Sequence, residues 1–404
     1  MKQARVIGAG FTGTLAAYLL SHRGYQVTVI EPNEHWGGLI QTIPHSGGDI
    51  ETAANGFMSS PLIEEIADNI GVKLILASKL ARKNRWLWIG SGPKKWPLGP
   101  LETLGFIGRI FWGWLRSSMT PQSGESLEQW GYRVLGKPAT QKLLSTAVLG
   151  IYAAPISELS ASLVVGRFFR KSTPPQRRSR LRGTVAPEKG MGQWFQAMRA
   201  HLESRGVQFL RQQHSPLTSS EEPVFICTSA PEAAQLLAPL APELSRVLQE
   251  IEMLPIVSVT AFAPMGSADL RGFGCLFHPE AGFHSLGTLW NSDIFPHRFS
   301  PELRAENWIL GGRSKRVSPT LSDPEILALV QHDRIKLGRS TAIQEARITR
   351  WPKAFPIYNL KLEQLLATAP KPPGKVVLCG NYLGSLGLSQ IALRVQKTVE
   401  EFAS

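Results

Sequence analysis

Three glycines near the start of the chain have the spacing of a phosphate-binding loop. Gly8, Gly10 and Gly13 follow the apolar run 4–7 and precede a segment with helical periodicity. In a strand–turn–helix unit the first glycine permits a sharp turn, the second lets a pyrophosphate approach the backbone, and the third lets helix and strand pack closely. The free amides of the helix N-terminus then face the phosphates. The spacing therefore predicts a dinucleotide site.

An acidic residue follows where the same motif requires one. Glu31 ends a second apolar run, about twenty residues beyond the glycines. A carboxylate at this place binds the ribose hydroxyls of an adenosine and repels a ribose phosphate, so the pattern argues against NADP. The alternative is a secretory signal, since Lys2 and Arg5 precede an apolar stretch. A signal does not need spaced glycines or a strand that ends in an acid.

The composition excludes several classes of protein. The 404 residues, 43% of them hydrophobic, suffice for two or three domains. Three separated cysteines and nine scattered histidines give no metal-binding or disulfide spacing, so we expect no metal and a reducing compartment. The net charge of +13 indicates an anionic partner. No nucleic-acid motif accompanies the charge, so we do not expect nucleic acid.

The region 82–116 combines tryptophans and cationic side chains around the apolar segment 101–115. Fifteen helical residues reach about 22 Å, which is too short to cross a bilayer. Tryptophan, lysine and arginine favour the headgroup zone, so we predict a helix that lies in one leaflet. The alternative is an ordinary helix buried in the core. A second basic cluster, 167–182, is expected to be an exposed loop, with lipid contact as an alternative.

Further strands are expected to complete the nucleotide-binding sheet. The segment 375–380 has the pattern of a buried strand, a turn rich in glycine follows at 381–387, and a helix follows from Leu388. The apolar runs 206–210 and 223–227 predict two more strands. The predicted fold class is therefore α/β, with a discontinuous Rossmann-like nucleotide domain, a mixed α+β substrate domain and a helical insert. The predicted bounds are 1–58, 186–238 and 371–404 for the nucleotide domain, 59–89 and 239–370 for the substrate domain, and 90–185 for the insert.

A family resemblance rests on the residues after Glu31. Gly37, Gly38 and Thr42 complete an E-x5-GG-x3-T pattern. Together with the glycine loop and the C-terminal strand and helix, it resembles the superfamily of flavin-containing amine oxidases and phytoene desaturases. Five further segments, in order, resemble the oxygen-dependent protoporphyrinogen oxidases: 84–90, 149–160, 271–276, 310–312 and 350–358.

The resemblance implies FAD as cofactor, of the GR2 type, and it implies no catalytic side chain, because the flavin carries the chemistry. The residues that it assigns to the cofactor lie in both terminal regions and between them. They are Gly8, Ala9, Gly10, Phe11, Thr12, Gly13, Glu31, Gly37, Gly38, Leu39, Ala53, Ala54, Asn55, Leu217, Gly380, Gly387 and Leu388.

The same resemblance implies a porphyrinogen substrate, protoporphyrinogen IX or coproporphyrinogen III, with molecular oxygen as acceptor. Arg85 would bind a propionate, while Phe273, Leu276 and Ile309 would enclose the rings. Ala154 stands where the family has a glycine at the substrate wall. Such an enzyme is expected in the cytoplasm on the inner face of the cytoplasmic membrane, with a homodimer as one arrangement.

Two alternatives remain open. One is a different superfamily member that desaturates lipids or oxidises amines. The other is a catalytically silent flavoprotein. This second alternative is motivated by residues 51–55, where Glu-Thr-Ala-Ala-Asn stands in place of the family's Glu followed by Gly-Pro-Arg, and by the changed turn at 389–392.

Overall fold

The computed structural model describes residues 2–169, 178–218, 221–266, 270–313, 317, 320–384 and 386–403. The strands in these residues are β1 (Gln3–Ile7), β2 (Gln26–Ile30), β3 (Thr42–Ile43), β4 (Ile50–Glu51), β5 (Phe57–Met58), β6 (Leu74–Leu76), β7 (Arg85–Ile89), β8 (Gly92–Lys94), β9 (Thr184–Pro187), β10 (Gln208–Leu210), β11 (Val224–Ile226), β12 (Met253–Pro264), β13 (Gly274–Phe277), β14 (Gly287–Leu289), β15 (Leu303–Gly311), β16 (Glu345–Pro356) and β17 (Val376–Leu378).

The α-helices are α1 (Phe11–Ser21), α2 (Pro61–Asn69), α3 (Lys79–Lys83), α4 (Pro100–Leu115), α5 (Leu127–Val134), α6 (Lys137–Ala139), α7 (Ser145–Tyr152), α8 (Ala161–Val164), α9 (Met191–Ser204), α10 (Ala230–Leu237), α11 (Pro242–Gln249), α12 (Asn291–Ile294), α13 (Asp323–Lys336), α14 (Leu360–Thr368) and α15 (Leu388–Ala403). A π-helical turn spans Thr140–Leu144, and 3-10 turns span Gly166–Phe169, Pro296–Arg298 and Asn381–Leu383.

The two ends of the chain build one parallel sheet. Its five strands lie in the order β10–β2–β1–β11–β17, and every neighbouring pair is parallel. The apolar residues of the central strands β1 and β11 are buried on both faces, as a sheet covered by helices requires, whereas Leu210 of the edge strand β10 is exposed. Helix α1 is buried along its whole length and contacts α9 and α15. The predicted Rossmann-like α/β class is confirmed, whereas the predicted domain boundaries stay predictions.

A larger mixed sheet of seven strands has the order β16–β12–β15–β14–β13–β7–β8. Side chains alternate between its two faces. Cys275 and Phe277 of β13 point to a face that shares one apolar cluster with Ile326 and Val330 of α13. Leu276, between them in sequence, points to the opposite face. The two faces of this sheet therefore have different neighbours.

Helix α4 lies on the surface of the molecule. None of its residues is buried, so the alternative of a helix in the core was wrong. Its Glu102 binds Lys142 at 2.6 Å, and the hydrogen bond from Lys142 lowers the pKa of Glu102. Among the described residues, no helix is both long enough and apolar enough to pass through a membrane. Within the second basic cluster, 170–177 lie outside the described residues.

Candidate functional site

The glycine loop has the geometry that a pyrophosphate requires. Gly8 has a φ of +96°, which favours glycine. A Cβ on Gly13 would lie 1.8 Å from the carbonyl oxygen of Gly8, so only a glycine lets α1 pack this closely. No atom lies within 4 Å of a Cβ placed on Gly10, the N-cap residue of α1. Phe11 and Thr12 form the first turn beyond it. The backbone at Gly10 is therefore open to a ligand.

Glu31 follows β2 and lies against this loop. Its Oε2 accepts a hydrogen bond from the backbone N–H of Ala9 at 2.8 Å, and its Oε1 accepts two from Asn33, at 3.0 and 2.8 Å. Each carboxylate oxygen has further lone pairs, so the group can still receive ribose hydroxyls. Glu31 thus has a second role that the motif did not predict, because it holds the glycine loop in position.

The second glycine pair adds to the same surface. The N–H of Gly37 donates to the carbonyl of Ala9 at 3.0 Å, and Gly37 and Gly10 form a parallel bridge. A Cβ on Gly38 would lie 3.5 Å from the Cα of Gly10. The two glycine motifs therefore lie side by side, and Gly10, Gly37 and Gly38 add no side chain to the surface that they share. These residues fit the phosphates of a dinucleotide.

Three further predicted residues lie in the loop before β5. Ala53, Ala54 and Asn55 are half-buried. The preceding residue, Thr52, donates its hydroxyl to the carbonyl of Leu39 at 2.7 Å. Its own carbonyl accepts from the indole N–H of Trp351 at 3.1 Å. This loop therefore connects the glycine motifs to the seven-stranded sheet.

The C-terminal turn begins directly after β17 in the nucleotide sheet. A Cβ on Gly380 would lie 1.9 Å from the ring of Tyr382, which excludes any side chain. The carbonyl of Gly387 accepts the N–H groups of Gln390 and Ile391 and so starts α15 at Leu388. Both terminal regions thus bring the start of a helix to the carboxyl edge of one sheet, where ligands of this fold class bind.

Leu217 has a position that limits its assigned role. It is buried, and its N–H donates to the carbonyl of Leu236 at 2.8 Å. Its N–H is therefore already used within the protein, and contact with a cofactor stays a prediction for its carbonyl and side chain.

Arg85 and Phe273, which the sequence separates widely, are neighbours. The guanidinium carbon lies 4.3 Å from the centre of the Phe273 ring, and partial burial lowers the pKa of Arg85. Phe273 is fixed by its N–H, which donates to the carbonyl of Asn84 at 2.8 Å. A cation stacked on an aromatic ring is held in one orientation while its N–H groups stay available.

Arg85, Leu276 and Ile309 share one face of the seven-stranded sheet. The register places Leu276 opposite Gly287, and Gly287 opposite Ile309. Since Gly287 has no side chain, the side chain of Leu276 packs over it, and a Cβ on Gly287 would lie 2.8 Å from its Cδ2. Leu276 also contacts α7, where a Cβ on Gly150 would lie 2.5 Å from its Cδ2. The structure therefore brings these predicted residues to one surface.

Ala154 lies behind that surface rather than at an opening. It is completely buried. The carbonyl oxygen of the preceding Ala153 accepts the N–H of Arg313 at 2.8 Å, and a Cβ on Gly312 would lie 2.2 Å from the same oxygen. The segments 149–160 and 310–312 thus touch each other, while the place of Ala154 in a substrate wall stays a prediction.

A chain of contacts joins Arg85 to the start of α15. Its Nη2 donates to the hydroxyl of Thr184 at 3.5 Å, and that hydroxyl lies 3.7 Å from the sulfur of Met58. The carbonyl of Met58 accepts the hydroxyl hydrogen of Ser389. The predicted substrate residue and the predicted cofactor helix are therefore linked through Thr184 and Met58.

Comparisons with known proteins agree with this geometry. A family model of an NAD(P)-binding Rossmann-like domain matches residues 6–70. The chain is 25% identical to the chloroplastic protoporphyrinogen oxidase of Nicotiana tabacum, over 96% of this chain and 82% of that protein. It is 23% identical to a coproporphyrinogen III oxidase of Propionibacterium freudenreichii, over 88% and 81% of the two chains. The resemblance predicted from the sequence is confirmed.

Solved structures agree on the fold. A structure from Exiguobacterium sp. 255-15, provisionally named a protoporphyrinogen oxidase, has a TM-score of 0.76 at 17% identity and covers 100% of this chain and 98% of its own. Reduced UDP-galactopyranose mutase has a TM-score of 0.75 at 13% identity, over 99% and 95% of the two chains. Protoporphyrinogen oxidase and UDP-galactopyranose mutase are FAD-dependent flavoproteins, which bears out the prediction of FAD as cofactor. The comparisons therefore support a similarity to the superfamily of flavin-dependent oxidoreductases.

Asp293 is a site residue that the sequence patterns did not reveal. Its buried carboxylate binds the Nη2 of Arg271 at 2.6 Å and accepts the N–H of Gly272 at 2.9 Å. Arg304, also buried, lies 3.7 Å away. Because Gly272 directly precedes Phe273, Asp293 positions the aromatic ring that stacks on Arg85. A lone aspartate after an asparagine and a serine carries no sequence signal of this role.

Asp293→Asn is expected to lower the free energy of unfolding by about 3 kcal/mol, because it removes the buried carboxylate that pairs with Arg271 and accepts the N–H of Gly272. Urea unfolding followed by tryptophan fluorescence measures the change. Asp323→Asn is the matched control, since Asp323 pairs with Arg350 at 2.5 Å on the surface and should cost less than about 1 kcal/mol. Equal losses in the two variants would show that Asp293 does not hold the turn.

Proposed function

We propose that this protein is an FAD-dependent oxidase that converts a porphyrinogen, protoporphyrinogen IX or coproporphyrinogen III, to the porphyrin with molecular oxygen as electron acceptor. The observation that carries the proposal is the chain of contacts that runs from Arg85 through Thr184 and Met58 to Ser389 at the start of α15. A cation for a propionate and a helix for the cofactor are thereby linked. The similarity along almost the whole chain supports the same reaction.

The residues on the substrate side suit a large apolar ring system with carboxylates at one edge. Arg85 offers a planar pair of N–H groups that can bind a propionate through two hydrogen bonds. Phe273 holds that plane in place by stacking. Leu276 and Ile309 provide an apolar surface beyond it. Together they would bind one edge of the substrate and exclude water from the rest.

The cofactor residues would hold FAD along the glycine surface. Gly10 leaves room for the pyrophosphate, and Glu31 would receive the ribose hydroxyls. FAD, when bound, supplies the acceptor for a hydride from a meso carbon. The partial positive charge at the N-terminus of α15 favours the electron density that this transfer adds. A pyrrole nitrogen lone pair can expel the hydride, so the protein needs no strong side-chain base.

The experiment is aerobic incubation of the FAD-loaded protein with each porphyrinogen while porphyrin fluorescence is followed. We expect a rate above the uncatalysed oxidation for at least one of the two substrates, with consumption of oxygen. Heat-denatured protein provides the background rate. No excess rate with either substrate, or oxidation of a diamine such as putrescine instead, would overturn the proposal.

Binding to a membrane surface is part of the proposal. Helix α4 exposes a row of large apolar side chains, and Lys94, Lys95 and Arg116 lie next to it in the chain. The exposed residues of the helix are Leu101, Leu104, Ile107, Phe111, Trp112, Trp114 and Leu115. Apolar and aromatic side chains beside cations suit an anionic bilayer, where an insoluble substrate would collect. The predicted location at the inner face of the cytoplasmic membrane rests on this helix.

Phe111→Glu is expected to weaken binding to anionic vesicles about tenfold or more. The variant loses an aromatic side chain that would insert into the bilayer, and it adds a negative charge that the anionic lipids repel. Cosedimentation with vesicles of phosphatidylglycerol and phosphatidylcholine measures the binding. Ile335→Glu provides the control, since Ile335 is an equally exposed apolar residue outside α4. Equal binding by the two variants would exclude α4 as the contact surface.

A further inference from the structure

Two histidines approach one aspartate on the side of the seven-stranded sheet that α13 covers. The Nδ1 of His284 lies 3.1 Å from the Oδ1 of Asp333, and the Nδ1 of His332 lies 3.3 Å from the same atom. The candidate donor atoms of the three residues all lie within 4.8 Å of one another. The cluster is on the opposite face from Leu276 and so is separate from the proposed substrate surface.

Asp333 is held in place by hydrogen bonds from the backbone. Its side chain is completely buried, and its Oδ2 accepts the N–H groups of His284 at 3.0 Å and Ser285 at 2.7 Å. Among the residues that the structure describes, its ion-pair partners are the two histidines, which are charged only if protonated. A buried carboxylate requires a compensating charge. Either a proton on an imidazole or a metal ion can supply it.

We propose that His284, His332 and Asp333 bind a divalent transition-metal ion of the Zn²⁺ type. Ligand atoms of tetrahedral zinc lie about 3.3 Å apart when each is at 2.0–2.1 Å from the ion, and the two nitrogen–oxygen distances match this value. Imidazole with one carboxylate suits Zn²⁺ or Co²⁺, whereas Mg²⁺ and Ca²⁺ prefer sites with more oxygen ligands. A water molecule would occupy the fourth position.

The exposure of the three residues gives the site an entry path. His332 is 57% exposed and His284 is 28% exposed, while Asp333 is fixed in the interior. The exposed imidazole can rotate to complete the tetrahedron, and Asp333 provides a fixed anchor. An ion there would join the loop between β13 and β14 to α13. Binding would therefore stabilise this part of the sheet, independently of any porphyrinogen.

The test uses the tag-free full chain after treatment with EDTA. Zn²⁺ is titrated against a chromophoric chelator, and Co²⁺ is added separately to record the visible bands of tetrahedral cobalt. We expect one ion per chain. His332→Ala should weaken Zn²⁺ binding about tenfold or more, because mutation of a residue that only hydrogen-bonds to a metal ligand already lowers metal affinity 10- to 100-fold. The cobalt bands should disappear. His284→Ala should give the same result.

His35→Ala is the matched control, because it removes one exposed imidazole outside the cluster. It should leave the affinity and the cobalt spectrum unchanged. A melting curve of each variant without metal verifies that the fold is kept. The proposal is overturned if the chain binds no Zn²⁺ near neutral pH, or if His332→Ala and His35→Ala bind it equally. Neither result bears on porphyrin formation, so the two proposals fail separately.

Discussion

Gly10→Val is expected to abolish FAD binding while the fold stays intact. No protein atom lies within 4 Å of a Cβ at this position, so the folded chain accommodates a side chain there. The same open space is the approach to the N-terminus of α1, where a pyrophosphate would contact the backbone amides. A branched side chain would occupy it. We expect the affinity for FAD to fall more than about 100-fold, which corresponds to about 2.8 kcal/mol.

The measurement is a titration of the apoprotein with FAD, followed by flavin fluorescence, beside a melting curve. Gly10→Val should melt at the temperature of the original apoprotein but lose the stabilisation that FAD adds. Gly92→Val is the control, because Gly92 also has open space around it but lies in β8, in the other sheet. It should bind FAD normally. A Gly10→Val protein with unchanged affinity for FAD would show that the cofactor does not cross the loop at Gly10.

Gly13 differs from Gly10 because the folded chain has no room for a side chain there. A Cβ there would lie 1.8 Å from a backbone oxygen, and neither group can move without separating α1 from β1. Gly13→Ala is therefore a folding defect, whereas Gly10→Val is a binding defect. The motif already predicts these different roles for the two glycines, and the structure supplies the distances that support them.

The nucleotide-binding half was predictable because its signals are local. A glycine loop, an acid at the end of β2 and a strand followed by a glycine turn each report their structure within a few residues. The strands that complete the sheet, β10 and β11, were also predicted, because short continuous apolar runs are typical of strands in a parallel sheet. The resemblance then connected segments that local patterns could not.

The rest of the site depends on contacts between distant segments. Asp293 holds the turn before Phe273 through a hydrogen bond to Gly272, and nothing in the sequence around Asp293 reports this. The link from Arg85 to α15 through Thr184 and Met58 is likewise not visible in the sequence around these residues. The histidine cluster was missed because 49 residues separate His284 from Asp333. Spacing rules search for metal ligands along the chain, whereas this cluster forms between a loop and a helix.

Arg85→Ala is expected to raise the KM for the porphyrinogen about 10- to 100-fold with a smaller change in kcat. A hydrogen bond to a charged group contributes about 1.5–3 kcal/mol, and a propionate far from the reacting carbon contributes equally to the bound substrate and the transition state. Arg85→Lys should recover only part of the loss, because an ammonium cannot form two parallel hydrogen bonds or stack flat on Phe273. Steady-state kinetics by porphyrin fluorescence measure both constants.

The control is Lys83→Ala, which removes an exposed positive charge two residues earlier in the chain. Its KM should stay within about twofold of the original, since an exposed charge of this kind acts only through a screened field. If both variants raise KM equally, general attraction of an anionic substrate by the +13 chain explains the effect. If Arg85→Ala lowers kcat and leaves KM unchanged, Arg85 acts on the reacting centre instead, and the propionate assignment is wrong. A bidentate contact requires that Arg85→Ala raises KM selectively and that Arg85→Lys recovers only part of this loss.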